Sequence, residues 1–298
     1  MNNSSESPDL SIIIASRNSS RTIKSCLESL ANQEGKNSLE IIVVDSSTDS
    51  TARLIAENFP QVKLYTFQER MFAGDARNFG ILKAKAEIIA FLDADCVAAL
   101  DWTEQILKAH QLPEPAIGGA VAVANPESYV GWASYFCEFS RWMPQTKAQR
   151  MDDICGASMT YKREVFKEYG FFLKGTYCSD TELHWRLKKG GKRLLFTPSV
   201  LVFHTNIENA GGFLKHEFLH GKYFALVRSR YQGFSLSRRL LYVILAPVIA
   251  LKILLDRMLL NISNRVYFAH FLKSLPLLTL GLICWSLGEA AGYAVSKD

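Results

Sequence analysis

The stretch "EIIAFLDADC", residues 87–96, places a run of apolar side chains directly before two aspartates that are separated by one alanine. A continuous apolar run of this kind is typical of a strand that is buried on both faces of a parallel sheet. Burying a carboxylate is costly unless it is paired with a cation or fully hydrogen-bonded. We therefore expect Asp93 and Asp95 at the open end of a strand, where they serve a purpose other than packing.

The aspartate pair alone allows three interpretations. It is compatible with a strand end whose carboxylates cap the next turn. It also matches the Asp-x-Asp-x-(Thr/Val) pattern of haloacid-dehalogenase-type phosphatases as "DADCV", although those enzymes carry the pattern on their first strand. The third interpretation is a divalent-metal site that holds a nucleotide diphosphate, because carboxylates on a rigid strand end suit Mg²⁺ or Mn²⁺.

The sequence before this stretch alternates between strand-like and helix-like segments. Apolar runs occupy residues 11–15, 40–45 and 62–67, and residues with helical spacing follow the first two runs. Such repetition predicts parallel strands with right-handed crossovers in a doubly wound α/β sheet. Ligands of these sheets bind beyond the carboxyl ends of the strands. That edge would hold residues 16–18, Asp45 and residues 93–95.

The pattern changes after residue 116. Further strands are predicted at "AIGGAVAVAN" and "KRLLFTPSVLVFH", and further helices at "YKREVFKEYG" and "DTELHWRLKKGG". Near residues 206–212 the composition becomes basic and apolar. We therefore predict a polar tail over residues 1–9, one α/β domain over 10–206 and a helical region over 207–298.

Four stretches in order, "SIIIASRN", "IIVVDSSTDST", "GDARNFGILKAKAEIIAFLDADC" and "CSDTELHWRLKKGG", resemble the family 2 glycosyltransferases. The resemblance covers residues 10–206. It implies the GT-A fold, a mixed sheet with a Rossmann-like nucleotide-binding half and an acceptor half. It also implies transfer of a sugar from a nucleoside diphosphate sugar with inversion at the anomeric carbon.

The resemblance assigns the nucleoside of the donor to the ends of the first two strands. By that match Ser16, Asn18 and Asp45 contact the base and the ribose. A carboxylate suits this task, since it accepts hydrogen bonds from an imide N–H or from ribose hydroxyls. Many family members have Asp-Asp or Asp-Asn where this chain has Asp45-Ser46, which leaves the base open. A UDP-sugar is slightly preferred over GDP-mannose.

The diphosphate and the metal are assigned to the fourth strand and its neighbours. The match places Arg77 beside the nucleotide, where a guanidinium can also bridge to carboxylates. A helix-surface ion pair is the alternative for this arginine. Asp95 is expected as a direct ligand of Mg²⁺ or Mn²⁺, and Asp93 is expected to reach the sugar, the ribose or the metal through water. His204, at the end of a strand, is either a further ligand or an ordinary hydrogen-bonded histidine.

The catalytic base is assigned to Asp180 by the same resemblance. Family members usually have Glu-Asp here, whereas Ser179 precedes the aspartate in this chain. The position of Asp180 also suits the N-cap of the helix that follows. Gly156 and Ala157 resemble the small-residue segment on the acceptor side, and Trp185 is expected either to stack on a sugar or to pack.

Several classes of protein are disfavoured by what the sequence lacks. No Gly-x-Gly-x-x-Gly follows the first strand, which argues against a nicotinamide-dependent Rossmann enzyme. No Cys-x-x-Cys occurs, and no basic run with aromatics forms a nucleic-acid module. Because the N-terminus has no apolar signal region, we expect the first 200 residues in the cytosol.

The C-terminal region is predicted to associate with a membrane. Residues 207–298 hold 11 Lys/Arg and 5 Asp/Glu, a net charge of +6, so that residues 1–206 carry −1 of the total of +5. Two apolar runs, 240–251 and 274–288, are borderline in length for spanning. Either insertion as a hairpin or embedding in the interface fits them. We expect the cytoplasmic face of the inner membrane, with a lipid-linked or cell-envelope glycan as acceptor.

Two interpretations from other classes stay open at this point. "HEFLH", residues 216–220, satisfies the zinc-protease pattern through His216, Glu217 and His220. The later histidine of the metzincins is missing. A non-catalytic membrane-binding scaffold is the second alternative, and the retained Asp93, Asp95 and Asp180 argue against it.

Overall fold

The computed structural model describes residues 7–296. The first half of the chain alternates between strands and helices, as its apolar runs predict. The elements in order are β1 (Leu10–Ser16), α1 (Ile23–Ala31), β2 (Leu39–Asp45), α2 (Thr51–Asn58), β3 (Lys63–Thr66), α3 (Ala73–Lys83) and β4 (Ile88–Leu92). The four strands are parallel. Their register sets Ser16 beside Asp45, so the polar residues that end β1 and β2 share one edge.

The second half adds strands of both directions to the same sheet. Its elements are β5 (Cys96–Ala98), α4 (Trp102–Ala109), β6 (Ala116–Val123), α5 (Tyr129–Glu138), β7 (Gln149–Met151), β8 (Ser158–Lys162), α6 (Glu164–Glu168), α7 (Ser179–Lys189) and β9 (Leu194–His204). Within the described residues the strand order is β3-β2-β1-β4-β8-β6-β9-β5, with β7 beside β9. Strand β8 runs antiparallel to β4 and β6. The mixed α/β sheet confirms the predicted fold class.

Three long helices complete the described chain. They are α8 (Ala210–Gln232), α9 (Leu236–Asn264) and α10 (Phe268–Val295). The predicted apolar runs 240–251 and 274–288 lie within α9 and α10. Each helix continues beyond its run at both ends, and each run contains a proline, Pro247 in α9 and Pro276 in α10, without ending the helix.

Helices α8 and α10 pack backbone against backbone. A Cβ added to Gly221 would collide with the carbonyl of Trp285, and one added to Gly288 would collide with that of Phe218. Phe213, Leu278 and Leu282 lie in the same buried cluster as the sheet residues Leu10 and Ile12. The helices therefore share a core with the sheet.

The outer side of α9 and α10 is apolar. Most of the exposed large hydrophobic side chains of the described chain lie here, among them Ile244 at 74% and Leu259 at 66% exposure. In the described residues one helix, Phe268–Val295, is long and apolar enough to cross a membrane. Contiguous exposed apolar surface of this kind marks an interaction site, which agrees with membrane association.

Candidate active site

A cavity of about 460 Å³ opens at the carboxyl ends of the central strands. It is the place where most of the predicted site residues meet. Those that line it are Arg77, Asp93, Asp95, Gly156, Ala157, Asp180 and His204.

Arg77 connects three walls of this cavity. It lies on α3 and is only 6% exposed. Its Nη2 donates to Asp93 Oδ1 at 2.8 Å and to the carbonyl oxygen of Gly156 at 3.1 Å. Burial opposes its charge, but the carboxylates of Asp93 and Asp180 outweigh burial and raise the pKa of Arg77. The alternative of a surface ion pair is wrong, because the guanidinium is inside the protein.

Asp95 and His204 face each other because strand pairing brings their elements together. Cys96 at the start of β5 is opposite His204 at the end of β9. Asp95 Oδ1 lies 3.4 Å from His204 Nε2 and, although buried, accepts no hydrogen bond from the described residues. His204 Nδ1 lies 3.0 Å from Asn206 Oδ1, so Nδ1 carries the proton and donates it. In the neutral form of the ring, Nε2 then carries the lone pair, which is directed away from Asn206 and can bind a cation.

These donor atoms fit a divalent cation. Ligand atoms of Asp95, Cys96 and His204 lie within 4.8 Å of one another. Burial raises the pKa of the Cys96 thiol well above its usual value, so the sulfur stays protonated and ligates poorly. Burial lowers the pKa of His204, yet the carboxylates of Asp95, Glu138 and Asp93 outweigh it and raise that pKa. A carboxylate oxygen that accepts no hydrogen bond from residues 7–296, next to an imidazole, is a ligand set that Mn²⁺ or Mg²⁺ can use.

Asp180 is the second residue of α7 rather than its N-cap. The cap position belongs to Cys178, whose backbone is left-handed with φ 56° and whose side chain makes no capping hydrogen bond. The site of a Cβ on Gly156 lies 2.5 Å from Asp180 Oδ2 and 3.7 Å from Arg77 Nη2. Any side chain at position 156 would displace the Asp180 carboxylate from the place it occupies. The small-residue segment is thus explained by the space that Asp180 occupies.

Three predicted residues form a second group beside the cavity. The backbone N–H of Asn18 donates to Ser47 Oγ at 2.7 Å, and the Ser47 hydroxyl donates to Asp45 Oδ1 at 2.5 Å. Ser16 pairs with Asp45 in the sheet register. Among the residues described as lining the cavity, Arg17 is the nearest neighbour of this group in the chain. The ends of β1 and β2 therefore extend the site along the edge of the sheet.

Trp185 is placed elsewhere. Its ring lies 5.9 Å from that of Phe224 and 5.3 Å from that of Tyr231, both on α8. Trp185 is not among the described residues that line the cavity. The packing alternative describes this tryptophan, which joins α7 to α8.

Several cavity residues were missed by the sequence analysis. Glu138, at the end of α5, lines the cavity together with His216 and His220 of α8. His216 Nε2 lies 3.5 Å from Glu138 Oε1. The "HEFLH" pattern was visible in the sequence, but only the packing of α8 against α5 shows that its histidines belong to the same cavity as Asp180. Glu138 had no sequence signal.

The comparisons with known proteins agree with this geometry. The family model described as "Glycosyl transferase family 2" matches residues 11–170. The chain is 25% identical over 223 residues to the Glycosyltransferase AglE of Haloferax volcanii, which covers 72% of each chain. It is also 25% identical over 256 residues to the Poly-beta-1,6-N-acetyl-D-glucosamine synthase of Staphylococcus aureus, covering 82% of this chain and 61% of that synthase.

Solved structures show the same fold. The mannosyltransferase PcManGT from Pyrobaculum calidifontis, in complex with GDP-Man and Mn²⁺, superposes with a TM-score of 0.58 at 20% identity. The match covers 77% of this chain and 65% of that one. TarS 1-349 of S. aureus, in complex with UDP-GlcNAc, gives 0.54 at 18% identity and covers 72% and 65%.

Proposed function

The chain belongs to glycosyltransferase family 2, and from that premise we propose that it is an inverting, metal-dependent hexosyltransferase with a nucleoside diphosphate sugar as donor and a lipid-linked or cell-envelope glycan as acceptor. One observation carries the proposal. Arg77, Asp93, Asp95, Asp180 and His204 come from distant parts of the chain and line one cavity. A scaffold without turnover gives no reason for this convergence.

The divalent metal is assigned to Asp95 and His204, with Asp93 beside them. The free oxygen of Asp95 and the available Nε2 of His204 support this assignment. When bound, Mn²⁺ or Mg²⁺ neutralises the charge that develops on a nucleoside diphosphate leaving group. A metal also accompanies the donor in the neighbouring mannosyltransferase structure.

The donor is assigned to the edge formed by β1, β2 and β4. Ser16, Asn18 and Asp45 would contact the base and the ribose, and Arg77 holds Asp93 in place through its 2.8 Å hydrogen bond. The solved relatives bind GDP-Man in one case and UDP-GlcNAc in the other. We keep a UDP-sugar as the proposed donor.

Asp180 is the proposed general base. Its carboxylate accepts the proton of an acceptor hydroxyl while the hydroxyl oxygen bonds to the anomeric carbon. The bond between that carbon and the phosphate oxygen breaks at the same time, and the anomeric centre inverts. General-base catalysis of this type contributes about 10²–10⁴ in rate. Gly156 and Ala157 form the adjacent wall, where the acceptor would lie.

The apolar outer surface of α9 and α10 supports attachment to a membrane. We propose that these helices hold the protein on the cytoplasmic face of the inner membrane. Nucleotide sugars are made in the cytosol and a lipid-linked acceptor is confined to the bilayer, so this position would bring both substrates together. The synthase relative named above is, by its name, a maker of a polysaccharide.

Donor binding and turnover test the proposal separately. Asp95→Ala should abolish the Mn²⁺-stimulated part of UDP-sugar binding, measured by calorimetry on the full-length protein in detergent. Asp180→Asn should keep that binding and lose about 10²–10⁴ of the transfer rate. Asp101→Asn, a matched change at the start of α4, should alter neither. Unchanged metal stimulation in the first variant, or near-normal turnover in the second, contradicts the assignment.

A further inference from the structure

Three cavities follow one another from the catalytic aspartate to the apolar surface. A middle cavity of about 780 Å³ lies between α5, α7, α8, α9 and α10. It shares with the catalytic cavity the residues Glu138, Trp142, Asp153, Thr181 and His220. It shares Leu282 with a groove of about 290 Å³ between α9 and α10. The three cavities therefore adjoin one another in this order and together outline a path.

The chemistry of the walls changes in order along this path. The section next to the catalytic cavity contains the carboxylates of Glu138 and Asp153. Arg141 and Arg257 line the middle cavity and are absent from the other two, as far as the described residues show. The groove is lined almost entirely by aliphatic side chains. A molecule that matches the path has hydroxyls at one end, an anion in the middle and hydrocarbon at the other end.

Arg257 is poised for an anion. It lies on α9, and its Nη2 donates to the carbonyl oxygen of Cys137 at 3.0 Å. Its Nε is buried and has no hydrogen-bond partner among the described residues. A buried donor without a partner is costly, and a phosphate oxygen is the acceptor that a guanidinium binds best.

The four carboxylates of the middle cavity do not cancel this preference. Glu138 lies where this cavity meets the catalytic one, with its Oε1 3.5 Å from His216 Nε2. Asp256 Oδ2 pairs with Lys252 Nζ at 2.6 Å, and Asp153 Oδ1 lies 2.5 Å from His184 Nδ1. Burial, together with the charge of Glu138, raises the pKa of Glu217 well above its usual value, which keeps Glu217 neutral. A protonated carboxyl can donate a hydrogen bond to an anion.

We propose that the acceptor is a phospholipid-type molecule whose phosphate binds Arg257 and Arg141 and whose hydrocarbon chain lies in the groove between α9 and α10. This inference rests on the proposed function, because the hydroxyl end of the lipid then reaches Asp180. The hydrocarbon chain of the lipid would enter the groove from the side where Leu251 and Leu287 are 56% and 58% exposed. Burial of such a hydrocarbon chain is favourable because it removes apolar surface from water.

Binding of a simple alkyl phosphate tests the inference without donor or metal. Radiolabelled dodecyl phosphate is titrated onto the full-length protein in an uncharged detergent, and protein-free micelles are subtracted. We expect one saturable site. Arg257→Gln should weaken binding roughly tenfold or more, and Arg257→Lys should weaken it less, because the charge remains. Arg238→Gln, at the start of the same helix and outside the three cavities, is the matched control.

The groove is tested in the same assay. Leu251→Asn should weaken dodecyl phosphate binding several-fold, whereas Leu240→Asn, an equally exposed position outside the groove, should not. Dodecanol and inorganic phosphate serve as competitors. If dodecanol competes as well as unlabelled dodecyl phosphate, the phosphate has no role in binding. If inorganic phosphate competes as well as unlabelled dodecyl phosphate, the hydrocarbon chain has none.

A third measurement separates this inference from the proposed function. Donor binding with Mn²⁺ should be unchanged in Arg257→Gln, which also shows that the variant is folded. Normal dodecyl phosphate binding by that folded variant refutes the lipid site and leaves the glycosyltransferase assignment intact. If the wild-type protein binds dodecyl phosphate but no nucleotide sugar, the proposed glycosyltransferase function is refuted and the lipid site stands.

Discussion

The contact between Gly156 and Asp180 permits a sharp test of the catalytic assignment. In Gly156→Ala the new Cβ would lie 2.5 Å from Asp180 Oδ2. An ordinary contact is about 3.4 Å, so the carboxylate oxygen must move by roughly 0.9 Å. The oxygen is at the end of a short side chain that can rotate, so the fold should tolerate the change. A base displaced by about 1 Å costs on the order of 10² in rate.

The expected result is a roughly 100-fold lower kcat with donor affinity and melting temperature close to those of the wild type. Steady-state transfer assays, donor calorimetry and thermal unfolding measure the three quantities. Gly212→Ala in α8 is the control, since a Cβ there meets its neighbours at 3.5 Å or more. A kcat within threefold of wild type in a folded Gly156→Ala protein would refute the placement of Asp180 at the reacting hydroxyl.

Other predictions address the supporting structure. Arg77→Leu leaves Asp93 without its cation, and because Asp93 is a third exposed we expect a loss below the roughly 3–5 kcal/mol of a fully buried pair, measured by urea unfolding. Arg77→Leu combined with Asp93→Asn should recover part of that loss, and no recovery would contradict the pairing. Burial lowers the pKa of His110 from 6.5 to about 3. Between pH 8 and pH 5 His110 therefore binds a proton in the unfolded chain but not in the folded one. This difference lowers the free energy of unfolding by about 2 kcal/mol as the pH falls from 8 to 5. In His110→Gln the free energy of unfolding, measured by urea unfolding at each pH, should fall by that much less. If the wild type and the variant lose the same stability between pH 8 and pH 5, the prediction is wrong. A chain ending at residue 206 should aggregate, because Phe271 and Leu278 no longer cover the rings of α5; a monodisperse product in light scattering would show that the helices are dispensable to the core.

The parallel half of the fold was predictable because its signals are local. Each strand is an apolar run, each run ends in a polar residue, and parallel strands bring such ends to one edge. That is why the position of Asp45, Asp93 and Asp95 at this edge could be predicted from the strand pattern, whereas their proposed roles rest on the resemblance. The direction of β8 was not predictable, since neither its length nor its composition distinguishes an antiparallel strand from a parallel one.

The remaining parts depend on contacts between distant residues. The burial of Arg77 follows from the packing of α3 against the sheet, and the amphipathic signal of that helix is weak. The predicted apolar runs are shorter than the helices because Lys252, Asp256 and Arg257 follow the run in α9, and Lys273 and Glu289 border the run in α10. In α9 these charges are directed to an ion pair and to the middle cavity. The place of Glu138 required α8 to be positioned first.

The backbone contact of α8 with α10 through Gly221 and Gly288 fixes the height of the active site above the surface on which the helices lie. A flexible linker would let the catalytic domain move to many distances from the apolar surface, whereas two helices in van der Waals contact at their backbones form a rigid connection. The distance from the apolar surface to Asp180 is then a constant of the molecule. Under the proposed attachment to a membrane, this fixed distance would set how far from the bilayer the acceptor hydroxyl has to lie, and the length of the acceptor would become a criterion of selection.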